Sequence, residues 1–181
     1  MKGITILVLN ILLCANILTA QLRILHPVDQ GSAVGFIIRN FGIAVDGSFS
    51  GLEGEIRFDP AAPLSSSFNV TVKAASINTG NASRDRHLRT GDFFDVENYP
   101  LIRVAGEKVK AGTEKDQYLL QARIDMHGKT GQVDIPFTVK SSGNSWLFEG
   151  SFVVNRRHYQ VGGSSWSMAD NATVHLKILA Q

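Results

Sequence analysis

The chain has 181 residues, 44% of them hydrophobic, with 18 Lys and Arg against 16 Asp and Glu for a formal charge of +2. That length and composition supply one sizeable core and exclude a disordered polar chain, and the lack of any basic block excludes nucleic-acid binding by counterion release. The single cysteine, Cys14, excludes an internal disulfide and a cysteine-built zinc site.

The chain opens as an export signal. Lys2 precedes an apolar run over residues 4–13, and Leu18-Thr19-Ala20 offers a cleavage site with a mature start at Gln21. The run falls short of the about 20 residues that span a bilayer. Cys14 follows Leu12 and Leu13, whereas lipoprotein processing needs a small residue just before the cysteine. Residues 1–20 are therefore read as a signal peptide, residues 21–181 as one domain, and the mature protein as periplasmic or secreted.

From residue 34 onward the dominant pattern has period two. Apolar residues alternate with others over residues 34–38, 45–49, 56–58, 68–72, 120–126, 135–139, 152–154 and 174–178. Each run has the alternation of a strand with one buried face. Turn signals lie between them, among them Asn40-Phe41-Gly42, Asp59-Pro60, His127-Gly128 and Ser142-Gly143-Asn144. One segment departs from the pattern: around residues 82–95, Ser83 is expected to cap a short helix that runs through Arg89 and stops at Gly91. Pro100 then starts a further strand, LIRVAG. The fold class is all-β, an eight-stranded antiparallel lipocalin-like barrel with this one helical insertion; closure buries every apolar face and removes exposed edges. Such a barrel is wide enough to be filled by side chains or to hold one small ligand, and the alternation alone does not choose between the two.

Several motifs carry a family resemblance. Residues 75–81 (ASINTGN), Arg84-Asp85-Arg86-His87-Leu88-Arg89, Asp92-Phe93-Phe94-Asp95 and Tyr99-Pro100 resemble the signature stretch of the YceI-like family. Ser32-x-Val34-x-Phe36, residues 124–130 (IDMHGKT) and Val154-Asn155-Arg156 with Tyr159 and Val161 resemble its other motifs, in the same order. The resemblance covers residues 24–180 and implies export and a hydrophobic tunnel for a polyisoprenoid chain. Two positions depart from it: His158 stands where the family usually has an acidic residue, and Gln160 where it has glycine.

On composition the aromatic residues simply fill a core; the resemblance turns that reading toward a lined cavity. The tunnel is then expected to be lined by Val34, Phe36, Ile38, Phe49, Ile56, Phe58, Val70, Val72, Ile77, Leu88, Phe93, Phe94, Leu120, Ile124, Met126, Ile135, Phe137, Phe152, Val154, Tyr159 and Trp166. Arg84, Asp85, His87 and Arg156 are the candidates for headgroup or barrel-mouth contacts. As a group, Arg84, Asp85 and His87 have the makings of acid–base machinery, but no nucleophile accompanies them and local ion pairing is the commoner use of such a cluster. The five histidines fall in no metal-ligand spacing. The expectation is a lipid-binding protein with no catalytic residue, no metal and no cofactor. Its ligand is a long apolar lipid such as a polyprenyl chain or an isoprenoid quinone, and its other partner a transient membrane contact. A filled barrel working through its outer surface and an isoprenoid-modifying enzyme are the competing readings.

Overall fold

A computed structural model of the chain describes residues 22–31 and 33–181. The expected signal peptide, Gln21 and Ser32 lie outside those residues. Ten strands form a single antiparallel sheet: β1 (Arg23–Leu25), β2 (Val34–Asn40), β3 (Ile43–Phe49), β4 (Glu53–Phe58), β5 (Ser67–Lys73), β6 (Leu101–Ala111), β7 (Gln117–Met126), β8 (Lys129–Ser142), β9 (Ser145–Asn155) and β10 (Met168–Ala180), in the order β1-β4-β5-β6-β7-β8-β9-β10-β2-β3. Among the described residues one α-helix, α1 (Ala82–Leu88), lies between β5 and β6.

The eight-stranded barrel survives within this count of ten. β3 runs on into β4 through Ser50-Gly51-Leu52, and Gly51 bends the chain with φ of 71°. The two are halves of one bent strand: β3 pairs with β2 at one side of the barrel and β4 with β5 at the other. The sheet thus closes through the chain itself and not through one continuous ladder. Each half keeps its outer edge covered. Ser48 of β3 exchanges backbone hydrogen bonds with Asn78 at 2.9 and 3.0 Å. β1 pairs with β4, after which the His26 and Val28 N–H groups donate to the Gln181 and Leu179 carbonyls beyond and along β10. Capped edges of this kind leave no template for another chain.

Burial follows the alternation. Phe68, Val70 and Val72 of β5, Leu120, Ala122 and Ile124 of β7, and Ile135, Phe137 and Val139 of β8 are all buried. Strand direction gives the barrel two different ends. At one end Phe58, among the most deeply buried side chains, meets Phe68, Tyr118, Phe137, Trp146 and Phe148 mostly edge to face, with centroids 5.1–6.4 Å apart. That geometry suits the ring quadrupoles and packs the end solid. Burial also raises the Tyr118 pKa, and Asp116 adds to the rise. The other end carries the β2–β3 and β7–β8 turns, α1, and the connection from β9 to β10.

α1 begins two residues earlier than a Ser83 cap implies, and its cap is Asn81. The Asn81 side chain accepts from the Ser83 and Arg84 N–H groups at 3.1 and 3.0 Å. Asn is as good an N-cap as Ser, and it stands where the chain is still extended.

The ring cluster is the place where truncation should hurt most. Phe58→Ala is expected to cost about 3–5 kcal/mol, measured by urea unfolding of the purified protein.

Candidate functional site

Above the ring cluster the barrel is hollow. A cavity of about 230 Å³ runs from Phe68, Phe137 and Phe148 at its floor to Asn40, Thr79, Arg84, Phe93 and Met168 at its mouth. It exceeds the roughly 150 Å³ hole that suffices to bind benzene. Its middle is walled by branched aliphatic residues such as Val70, Val104, Ile124, Val174 and Leu176, and small residues at Gly35, Gly47, Gly150 and Ala172 keep inward volume low. The Phe36 ring occupies the space over Gly47, where an added Cβ would fall 2.2 Å from the ring.

Of the residues expected to line the interior, all but three do so. Phe58 has the right phase but lies below the floor, inside the ring cluster. Tyr159 is buried on the far side of the β7–β8 turn, where its hydroxyl lies against Gly131; its own burial, with Asp125 adding to the effect, raises its pKa. Trp166 is 91% exposed and stands outside the cavity altogether. Conversely, Ile102, Val104, Phe148, Val161 and Met168 line the cavity without having been among those expected. Phe148, Ile102 and Val104 were readable from strand phase, since each pairs with or follows residues of known face. Val161 and Met168 lie in or beside an irregular loop, where no period points inward.

At the mouth the charged residues hold backbone in place. Asp85 is buried, and its Oδ1 accepts from the Thr79 N–H at 2.9 Å and the Thr79 hydroxyl at 2.5 Å. Arg84 donates from Nε to the Thr79 hydroxyl and from Nη2 to the Thr79 carbonyl, both at 2.7 Å. Arg89 donates to the Ala75 and Ile77 carbonyls. Together they fasten α1 onto the segment that leaves β5. His87 does not reach the cavity: it is exposed, 3.9 Å from Asp92, with its ring edge-on to Phe93. Asp85 likewise does not line it. Phe93 and Phe94 both turn inward, Phe94 meeting Phe49 at 5.4 Å.

Arg156 is a clasp and not a free headgroup donor. It is 5% exposed. Its Nε donates to the Ala169 carbonyl, Nη1 to the carbonyls of Val161, Gly162 and Gly163, and Nη2 to the Met168 carbonyl and Asp170 Oδ1, at 2.8–3.3 Å. All three nitrogens are engaged, which uses up the five N–H donors of a guanidinium. Burial lowers its pKa and Asp170 acts the other way, yet an arginine stays charged at any physiological pH. The loop it gathers, residues 160–167, keeps the shape that a glycine at position 160 would allow: Gln160 itself takes the left-handed conformation, with φ of 57°. Arg84 differs, since its Nη1 makes no hydrogen bond among the described residues.

A closed antiparallel barrel with an apolar lumen, solid at one end and open at the other, defines a hollow barrel of the lipocalin-like kind. The family model described as the YceI-like domain matches residues 27–180, and the chain belongs to that family. A UPF0312 protein of Photorhabdus laumondii is 34% identical over 120 residues, 66% of this chain but only 61% of that relative's length. Another UPF0312 protein, of Pseudomonas savastanoi, is 30% identical over 159 residues, 84% of this chain and 82% of its own. Among solved structures, BcnA of Burkholderia cenocepacia has the same fold, with a TM-score of 0.77 at 23% identity over 82% of this chain and 95% of that one. A polyisoprenoid binding domain from Saccharophagus degradans, implicated in plant cell wall breakdown, shares it with a TM-score of 0.71 at 16% identity, over 89% and 99% of the two chains.

Removing the clasp tests its role. Arg156→Ala leaves five loop carbonyls, those of Val161 and Gly162 in buried residues, without this donor and Asp170 with Arg157 alone, and is expected to cost about 3–5 kcal/mol in urea unfolding. Arg156→Lys should recover only part of this, because one ammonium cannot reach a fan of acceptors.

Proposed function

We propose that the protein holds a long apolar chain of the isoprenoid type inside the barrel, as a store or carrier, and catalyses no reaction. The observation that carries this is the cavity: it is apolar from floor to mouth, and the charged groups at its rim are largely committed to backbone. The likeness to a polyisoprenoid binding domain supports the same ligand class. A polyprenyl chain or the tail of an isoprenoid quinone matches such a lumen in its slender, wholly apolar form, while Arg84, with Nη1 unengaged, is the contact for a polar headgroup. The chain is exported on this reading, from the layout of residues 1–20.

Apolar burial supplies the driving force. Each buried CH₂ contributes about 0.8 kcal/mol, so one five-carbon unit contributes roughly 4 kcal/mol gross. A micromolar complex needs about 8 kcal/mol net, and association with ordering of a flexible chain costs several more. Affinity therefore grows with each unit buried and needs no polar contact. An acid–base mechanism would need titratable groups converging on the ligand, and the lumen offers none between Thr79 and the floor except Glu149, which pairs outward with Lys140 and Lys177.

Ile124 lines the cavity at mid-height and tests the reading. Lipid extracted from gently purified protein should show an isoprenoid mass, and Ile124→Trp should abolish it while leaving unfolding free energy within about 1 kcal/mol. Absence of lipid from the unmutated protein, with a loss of stability in the variant of about 1–3 kcal/mol from overpacking, would instead mean a filled barrel.

A further inference from the structure

The mouth of the barrel carries large apolar side chains that neither the fold nor the cavity uses. The β2–β3 hairpin turns through Phe41 and Gly42, with Asn40 opposite Ile43. Both turn residues have positive φ, 51° and 76°. This is the mirror-image two-residue turn in which Asn-Gly is favoured. A bulky side chain in that left-handed conformation is strained, and the Phe41 ring is also 63% exposed. Asparagine would satisfy the turn better and remove the exposed ring, so the phenylalanine serves something other than folding.

Its surroundings say what. Trp166 is 91% exposed, its ring stands edge-on to Phe41 with centroids 5.1 Å apart, and the Phe41 N–H donates to the neighbouring Ser167 carbonyl. Ile43 is 71% exposed and shares the strand phase of Val45 and Phe49, which line the cavity. The lining stripe of β3 therefore continues out of the mouth into this tip. Arg39, exposed beside the turn, donates to the Gly42 carbonyl, so a cation flanks the apolar group. Tryptophan, phenylalanine and isoleucine with a snorkelling arginine are the side chains of a bilayer interface. A second copy of the chain is the weaker occupant. Three such side chains offer at most roughly 600 Å², below the about 800 Å² per partner of a standard protein interface.

We propose that the Phe41–Ile43–Trp166 tip inserts into a lipid bilayer and seats the cavity mouth on the membrane, so that the apolar ligand passes between bilayer and barrel without crossing water. This rests on reading the cavity as a lipid site. The cost of crossing water grows with every methylene exposed, so a docked mouth accelerates exchange most for long chains.

The test uses the exported protein with vesicles of phosphatidylethanolamine and phosphatidylglycerol, with and without an isoprenoid quinone. The double variant Phe41→Asn with Trp166→Ser keeps the turn in its preferred sequence, and Leu64→Ser removes an exposed apolar residue (69%) at the opposite end as a control. Trp146 already has its indole nitrogen buried, so a blue shift of emission on adding vesicles reports Trp166. The wild type and the control should sediment with vesicles, show the shift and exchange quinone. The double variant should be as stable as the wild type, retain co-purified lipid equally, and bind vesicles and exchange quinone at least tenfold less well. Exchange by the double variant at the wild-type rate overturns the proposal, as does a wild type that neither sediments nor shifts. Self-association lost in the double variant, without vesicle binding, overturns it in favour of a dimer. Failure of the cavity reading shows separately, as vesicle binding with no lipid retained or exchanged by either protein.

Discussion

Closing a sheet gives every inward side chain the same destination. With eight strand positions the lumen is narrow enough that side-chain size alone decides whether it is solid or hollow. Here the decision is split along the axis. Large rings from β4, β5, β7, β8 and β9 converge at one end and fill it. Toward the other end the same inward rows carry Val, Ile, Gly and Ala, and a cavity remains. The solid end supplies the tertiary packing that a hollow end cannot, so stability and ligand space are kept in separate parts of one barrel.

The same division governs the polar groups. The long connections, from β5 to β6 and from β9 to β10, both lie at the open end, and irregular backbone there needs hydrogen-bond partners once it is withdrawn from water. Arg84, Asp85, Arg89 and Arg156 supply them. Side chains that look like a catalytic cluster in the sequence are thus used to shape a rim. An apolar lumen whose one carboxylate, Glu149, pairs outward would discriminate between ligands by girth, because apolar burial is non-directional.

Where the backbone is regular, the sequence was readable. The period-two runs identified the strands and put Val70, Val72, Ile124, Ile135 and Phe152 on the inner face, where they lie. Phase gives a face but not a height, which is why Phe58 proved to belong to the solid end. The bend that makes β3 and β4 one strand depends on Gly51 at positive φ, and glycine in a sequence marks freedom without saying that it is used. Trp166 was the least legible residue: it stands in a loop of small polar residues with no period, where hydrophobicity alone suggests burial and the structure shows a ring in solvent. Arg156 was recognised as belonging to the mouth, but only the loop folded around it shows its donors already spent.

The hollow upper barrel is the claim on which the rest stands. A high-resolution crystal structure of the protein purified without detergent or added lipid measures it directly. Continuous, tube-like density is expected from the floor at Phe68 and Phe137 to the mouth beside Arg84, with Phe36 and Ile124 in van der Waals contact along it. An upper barrel in which those side chains have closed on one another, leaving no room for a chain of carbon atoms, would contradict it.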